Sequence, residues 1–266
     1  MTDEHTTGAW TSGDAYERYV GRWSRRVAPP FLSWLDVPPG RRWLDVGCGT
    51  GVLSEAIANR CAPASLDAVE PAAGFLAAAR VHLGNRAVTH LASAEKLPLA
   101  DASVDVVVSG LVLNFVTDAV ASLAEMARVT ARGGMIAAYV WDYGERMDLM
   151  RYFWDAAVEL DPAVAAVTES SQFASCAPEP LAELFRGAGL QHVTVTALDI
   201  PTVFTSFDDY WNPFMGGTGP APAYAVSLGE SARDELRRML RERLPIEADG
   251  TISLVARAWA VRGRVP

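Results

Sequence analysis

The sequence WLDVGCGTG, from Trp43 to Gly51, joins a short apolar stretch to three closely spaced glycines. The apolar half predicts a buried strand, and hydrophobic residues at helical spacing in 52–57 predict a helix directly after the glycines. In parallel α/β domains, a strand, a glycine turn and a helix together present backbone N–H groups to a nucleotide-like ligand. Glycine suits this turn because it adopts positive φ and has no Cβ to obstruct the ligand.

The spacing of these glycines narrows the choice of ligand. Gly47, Gly49 and Gly51 form G-x-G-x-G, and Val52 occupies the place of the last glycine in the dinucleotide pattern G-x-G-x-x-G. This difference disfavours a nicotinamide cofactor. The turn alone is also compatible with a tight βα connection that binds nothing. Other residues are therefore needed to establish whether a ligand binds here.

Glu70 is a second sign of a ligand. It ends the next predicted strand, 65–70, where an acid in a doubly wound sheet accepts hydrogen bonds from the two hydroxyls of a ribose. The alternative is an acid that stabilises a helix N-terminus, since Pro71 suits the first position of a helix. The glycine turn and Glu70 together favour a ligand that contains a nucleoside.

Composition limits the class of protein. The chain has 266 residues, 50% of them hydrophobic, and a formal charge of −9, which allows one large domain or a domain with a cap. The acidic charge argues against nucleic acid as a partner, and no apolar run reaches membrane-spanning length. Three cysteines without metal spacing predict no metal site, and the lack of an apolar signal core predicts a cytoplasmic location.

Predicted strands alternate with helices along the first half of the chain. Five strands are predicted, with helices between them, at 43–46, 65–70, 87–92, 104–109 and 135–141. This order predicts a parallel sheet that is buried on both faces, with His90 inside a buried strand. Alternating residues at 192–198 and 252–261 predict two further strands.

As a set, these residues resemble the class I S-adenosylmethionine-dependent methyltransferases, of the small-molecule kind related to the ubiquinone- and menaquinone-type enzymes. The resemblance covers residues 40–142 well. Its motifs are the first glycine motif at 44–51, the ribose-binding acid Glu70, the adenine-side motif at 94–99 with 104–107, and the turn at 132–134.

The resemblance implies a fold and a domain order. The fold is α/β, a doubly wound, Rossmann-like sheet of seven strands, mostly parallel with an antiparallel last strand, and with helical cap insertions. The implied segments are an N-terminal helical segment that closes the cofactor site (1–36), a cofactor-binding core (37–142), a cap segment (143–186), and the last two strands (187–266) with a cap insertion at 201–250.

The resemblance also implies a cofactor, S-adenosylmethionine, with S-adenosylhomocysteine as product. The expected cofactor-binding residues are Tyr16, Tyr19, Arg22, Asp45, Gly47, Cys48, Gly49, Gly51, Glu70, Pro71, Ser93, Ala94, Glu95, Ser109 and Leu111. Ser93 replaces an Asp that often contacts the adenine amine in this family. Tyr16, Tyr19 and Arg22 are expected to close the methionine end of the cofactor, and the alternative for them is plain helix packing.

Methyl transfer from a sulfonium is an in-line displacement that depends mainly on positioning and exclusion of water. A general base is needed only when the attacking atom of the acceptor still carries a proton, as in an alcohol, a phenol or a carbon acid. The sequence therefore need not contain a conspicuous general base. Candidate bases are Asp142, Tyr143, Asp209 and Tyr210.

The acceptor is expected to be a small, apolar or aromatic molecule, held beneath a mobile cap between 143–186 and 201–250. The segment 109–112 lacks the Pro-Pro-aromatic element of enzymes that methylate base amines, which argues against DNA and RNA. The alternatives are a non-catalytic S-adenosylmethionine-binding protein and an NAD(P)-dependent oxidoreductase. The sequence leaves the oligomeric state and the methylated atom open.

Overall fold

The computed structural model describes residues 17–217 and 219–266, so Tyr16 lies outside the described residues. The strands form one seven-stranded sheet in the order β3-β2-β1-β4-β5-β7-β6. Their bounds are β1 Arg42–Val46, β2 Ser65–Glu70, β3 Val88–Leu91, β4 Val104–Gly110, β5 Thr130–Trp141, β6 Gln191–Phe204 and β7 Ile252–Arg264. The expected doubly wound sheet is confirmed.

The helices occur between the strands and in two later insertions. The α-helices are α1 Arg22–Leu35, α2 Val52–Arg60, α3 Ala73–Leu83, α4 Ala119–Val129, α5 Asp148–Leu160, α6 Glu169–Gln172, α7 Pro178–Gly187, α8 Phe207–Trp211, α9 Pro220–Ser227 and α10 Glu230–Arg243. Within the described residues, none of these helices combines the length and the apolar character needed to cross a membrane.

Strand β1 lies at the topological switch point of the sheet. It pairs in parallel with β2 on one side and with β4 on the other, and Trp43 is in register with both Leu66 and Val106. Trp43, Leu44 and Val46 are fully buried, as expected for a central strand covered on both faces. Ligands of open α/β sheets bind beyond the carboxyl end of the strands at such a point, and the glycine turn begins there.

Strand β3 lies at the edge of the sheet, which corrects the expectation for His90. Val88 and Leu91 of this strand are exposed, and His90 is half-buried with Nε2 2.7 Å from Asp67 Oδ1. The strand has a neighbour on one side only, so an apolar alternation does not ensure burial. Turns alone join β3 to β4, as expected for residues 101–103.

The last two strands are antiparallel and longer than predicted. Arg257 and Arg262 of β7 reach Asp199 and Thr194 of β6, with shortest distances of 2.7 and 3.3 Å. Strand β6 continues through Pro201 because it is an edge strand, where the missing N–H of a proline interrupts no ladder.

The chain divides into two compact units assembled from separate pieces of sequence. The sheet unit comprises Ser24–Val140, Ser175–Leu198 and Ala258–Pro266, and contains the glycine turn and Glu70. The helical unit comprises Trp141–Ala174, Asp199–Arg257 and the described residues up to Trp23. Helices α5, α6 and α8 to α10 belong to the helical unit.

Candidate functional site

The three glycines after β1 all have positive φ, at 73° for Gly47, 54° for Gly49 and 91° for Gly51. A Cβ on Gly47 would lie 2.6 Å from the Val112 side chain, and one on Gly51 would lie 3.1 Å from Leu83. A Cβ on Gly49 would meet nothing within 4 Å. The outer two glycines are therefore required by packing, whereas Gly49 borders open space that a ligand can enter.

Glu70 is held against this turn. Its carboxylate accepts a hydrogen bond from the Gly49 N–H at 3.0 Å and another from the Ala72 N–H at 2.9 Å, just before α3. Burial raises the pKa of Glu70, and the two backbone donors oppose that shift. Each carboxylate oxygen has a further lone pair, so Glu70 supports the turn and can still accept ligand hydroxyls.

Asp45 is an acid buried in β1, directly before the turn. One oxygen accepts the Ser54 hydroxyl at 2.6 Å, while Oδ1 is buried and has no hydrogen-bond partner. Burial raises the pKa of Asp45 to about 7. Burial also raises the pKa of the Cys48 thiol, with Asp45 and Glu70 adding to the effect, so Cys48 is a small packing residue rather than a nucleophile.

The exit of β4 forms a second turn in the sheet unit. The Ser109 hydroxyl donates to the Val46 carbonyl at 2.9 Å, which ties the ends of β4 and β1 together. Leu111 has a φ of 61°, and its N–H donates to the Tyr139 carbonyl at 2.8 Å. Such a conformation is costly for a residue with a side chain, so surrounding contacts must hold it.

The remaining predicted adenine-side residues lie in the turns after β3. Ala94 is buried, whereas Ser93 and Glu95 are half-buried. The Ser93 carbonyl accepts the Lys96 N–H at 3.3 Å, which closes this turn. The structure thus gathers all of the described cofactor candidates into the sheet unit, except Tyr19 and Arg22.

Arg22 and Asp209 form an ion pair inside the helical unit, with Nη1 2.8 Å from Oδ1. The guanidinium also lies over the rings of Trp23 and Phe204, 4.4 and 4.7 Å from their centroids. Burial by itself raises the pKa of Asp209, but the Thr205 N–H and Arg22 together lower it below its usual value. Asp209 is consequently a weak base.

Tyr210 and Asp142 differ in whether their oxygens are already engaged in hydrogen bonds. Tyr210 is fully buried, its hydroxyl donates to the Leu149 carbonyl at 2.8 Å, and burial raises its pKa well above the usual value. Asp142 Oδ1 accepts the Glu145 N–H, but the buried Oδ2 has no partner. Tyr143 is half-buried, with its ring 4.9 Å from that of Phe173. Among the four candidate bases, Asp142 is therefore the residue with a buried oxygen that has no hydrogen-bond partner in the described part of the chain.

Sequence reasoning missed Glu169, which starts α6 and is 2% exposed. Its carboxylate accepts hydrogen bonds from Trp154 Nε1 and, at 3.2 Å, from the Ala221 N–H. Burial raises its pKa. No local signal identifies it, because a Glu between Thr168 and Ser170 in a proline-punctuated stretch has the pattern of a surface loop.

The described residues contain no group of three His, Cys, Asp or Glu side chains placed to hold a metal ion. They do fit a nucleoside cofactor. Gly49 of the turn borders open space, Glu70 at the end of β2 binds the Gly49 N–H with lone pairs to spare, and Asp45 at the end of β1 has an unpartnered Oδ1.

Several known proteins to which this chain is similar are described as methyltransferases. The family described as a methyltransferase domain matches residues 44–138. The malonyl-[acyl-carrier protein] O-methyltransferase of Serratia marcescens is 40% identical over 132 residues, which are 48% of this chain and 47% of that protein. This chain spans about half of the length of the curated relatives that it matches.

Solved structures share the fold. A putative methyltransferase from Bacillus halodurans matches 90% of this chain and 98% of its own, at 15% identity and a TM-score of 0.56. Phosphoethanolamine N-methyltransferase 2 of Haemonchus contortus, solved with S-adenosyl-L-methionine, matches 95% of this chain and 56% of its own, at 15% identity and a TM-score of 0.55. At these identities the likeness shows the fold alone.

Proposed function

We infer from the methyltransferase domain at residues 44–138 that this chain transfers the methyl group of S-adenosylmethionine to a small-molecule acceptor. The observation that carries this proposal is the hydrogen bond between the Gly49 N–H and Glu70, beside open space at Gly49. It supports a site that binds a ribose through a carboxylate, with the backbone of the turn close to the rest of the cofactor.

Different residues are proposed to contact different parts of the cofactor. Glu70 accepts the ribose hydroxyls, and Asp45 Oδ1 accepts a hydrogen bond that the protein itself leaves unmade. Gly47, Cys48, Gly49 and Gly51 supply the backbone of the turn. The further proposed contacts are Pro71, Ser93, Ala94, Glu95, Ser109 and Leu111, with Tyr19 and Arg22 toward the methionine end.

The bound cofactor supplies an activated methyl group, so this chain's residues have to position the acceptor and exclude water. For an acceptor that keeps a proton, Asp142 Oδ2 is the proposed base, because it is buried and has no partner. Tyr210 and Asp209 are engaged in other bonds, and the direction of each pKa shift makes them poor bases.

The acceptor pocket is proposed to lie in the helical unit, between the segments 143–186 and 201–250 as far as they belong to that unit. The rings there favour an apolar or aromatic acceptor. Tyr210, Trp211 and Phe214 are themselves buried against other rings, so much of this aromatic surface serves packing. The half-buried Tyr143 and Phe173 are better placed to contact an acceptor.

Two measurements test the proposal. Calorimetric titration is expected to show binding of S-adenosylmethionine and S-adenosylhomocysteine but not of NAD(P). Release of S-adenosylhomocysteine is then assayed against a panel of small apolar and aromatic metabolites. Cofactor binding without release for any acceptor would favour a non-catalytic binding protein, and binding of NAD(P) alone would favour an oxidoreductase.

A further inference from the structure

Glu169 is a buried carboxylate without a countercharge. It is 2% exposed, and among the residues that the structure describes no Lys, Arg or His side chain pairs with it. The N–H groups of Trp154 and Ala221 satisfy part of its hydrogen-bonding capacity, but neither carries a charge that would balance the ionised carboxylate. Burying an ion without a partner of opposite charge is expensive.

Aromatic rings pack around the indole that donates to this carboxylate. Trp154, which donates to it, has Phe153 and Tyr224 as ring neighbours at 5.3 and 5.6 Å. Phe153 stacks on Phe214 at 4.4 Å, and Phe214 lies 5.4 Å from Tyr19. All of these residues belong to the helical unit. We call them, with Glu169, the Glu169 cluster.

Two hydroxyl groups of the cluster are buried and make no hydrogen bond. Tyr19 is 2% exposed, and its hydroxyl has no partner, nor has that of Tyr224. Burial raises the pKa of Tyr19, and the negative charge of Glu169 raises it further. Buried polar groups that lack a partner are rare, and a ligand or water is the usual explanation.

A structural role accounts for only part of this arrangement. The two N–H donors explain why this position is a glutamate rather than a glutamine. The NH₂ group of a glutamine would face one of these donors with a second donor, and no hydrogen bond would form. The two donors do not explain why two tyrosine hydroxyls in the same cluster stay unsatisfied. A ligand with N–H groups and a positive charge would satisfy the hydroxyls and balance the carboxylate together.

We propose that the Glu169 cluster is the part of the acceptor site that recognises an ammonium group, so that the acceptor is an amine with an apolar or aromatic body. This rests on the proposed methyltransferase function, and it concerns recognition, leaving the methylated atom unassigned. Ring faces attract cations, and the attraction increases in a desolvated site. The acidic net charge of −9 also favours the approach of a cation.

The test uses the full chain saturated with S-adenosylhomocysteine and a panel of probes titrated by calorimetry. The cationic probes are 2-phenylethylamine and tryptamine, and 2-phenylethanol and indole-3-ethanol are their neutral counterparts. We expect at least one amine to bind about tenfold tighter than its alcohol, the difference of a single desolvated ion pair or cation–π contact.

Variants assign this preference to the cluster. Glu169→Gln is expected to remove the preference but also to lower the Tm, because it loses an acceptor for Trp154 or Ala221. Tyr19→Phe removes a hydroxyl that has no partner, so it is expected to leave the Tm unchanged and to weaken amine binding severalfold. Tyr152→Phe, on the half-buried neighbour of Phe153, is the control: its hydroxyl acts on Arg151 outside the cluster, so the amine preference should stay unchanged.

The outcomes separate this inference from the proposed function. If no amine is preferred over its alcohol, or if Glu169→Gln and Tyr19→Phe keep the wild-type preference, the inference is wrong. In that case, binding of S-adenosylhomocysteine with turnover of a neutral acceptor would still support the methyltransferase. Failure to bind S-adenosylhomocysteine would instead remove the proposed function itself.

Discussion

The backbone N–H of Gly49 donates to the carboxylate of Glu70 across 3.0 Å, which joins the glycine turn to the end of the neighbouring strand. The same carboxylate accepts the Ala72 N–H at 2.9 Å. One side chain therefore shapes the turn, leads into α3 and offers lone pairs to a ligand. Substitutions at this pair separate the structural role of Glu70 from its proposed binding role.

Glu70→Gln is expected to weaken S-adenosylmethionine binding by at least tenfold. The wild-type carboxylate offers two acceptor oxygens to its donors, whereas the amide of the variant offers one. Hydrogen bonds to a charged group are worth about 1.5–3 kcal/mol. Calorimetry measures the affinity, and urea denaturation measures the accompanying loss of stability. Glu55→Gln is the control, because it removes a carboxylate of α2 that lies 2.9 Å from His82 Nε2 of α3. Unchanged cofactor affinity in Glu70→Gln would remove this residue from the site.

Gly49→Ala is expected to abolish cofactor binding while the protein still folds. Its Cβ meets no protein atom within 4 Å, so the cost to stability is the strain of positive φ, about 1–2 kcal/mol. Gly133→Ala is a matched control, because Gly133 also has positive φ, 71°, and open space around it. Both variants should lose similar stability, and only Gly49→Ala should lose affinity.

Gly47→Ala should behave differently from both. Its Cβ would lie 2.6 Å from the branched Val112 side chain, which adds about 1–3 kcal/mol of overpacking to the strain. We therefore expect the largest drop in Tm of the three variants. Equal Tm values for Gly47→Ala and Gly133→Ala would contradict the packing argument.

Asp45 is expected to make the protein less stable as the pH rises from about 4 to 7. Burial raises its pKa to about 7 in the folded state, so over this range the unfolded chain has lost the proton that the folded chain retains. One such proton changes the free energy of unfolding by about 1.4 kcal/mol per pH unit. In Asp45→Asn the decline should be smaller by this contribution, as measured by urea denaturation across that pH range, while Glu70 and Glu169 act alike in both proteins. Parallel pH profiles of the two proteins would show that Asp45 does not titrate there.

The N-terminal segment is tested by two truncations. Removing residues 1–24 is expected to raise the Kd for S-adenosylmethionine, because it deletes Tyr16, Tyr19 and Arg22, which are proposed at the methionine end. Removing residues 1–15 keeps all three and should leave the Kd unchanged. Circular dichroism checks that both proteins fold. A folded 1–24 truncation with wild-type affinity would remove Tyr16, Tyr19 and Arg22 from the proposed cofactor site.

Asp142→Asn is expected to lower kcat for acceptors that keep a proton by about 10²–10⁴, the usual contribution of a positioned base. Acceptors without such a proton should be turned over at the wild-type rate. Asp209→Asn is the comparison, and it should lower the Tm through loss of the Arg22 ion pair without this split between acceptors. An equal loss of kcat for both kinds of acceptor in Asp142→Asn would exclude a role as base.

The sequence by itself was sufficient for the central strand, the glycine turn, the position of Glu70 at the end of β2 and the doubly wound sheet. These features depend on short-range periodicity and on backbone conformations that few residues adopt, so the local spacing of residues is enough to predict them. The same reasoning failed for His90, because an apolar alternation does not reveal whether a strand has one neighbour or two.

Only the tertiary structure decided which polar groups share a buried environment. Arg22 and Asp209 are 187 residues apart in the chain, and Glu169 accepts hydrogen bonds from Trp154 of α5 and from the Ala221 N–H of α9. Such pairings depend on how helices pack after burial, and burial is also what raises the pKa of Asp45, Tyr210 and Glu169. Desolvation is a property of the three-dimensional surroundings, so no local spacing in the sequence specifies it.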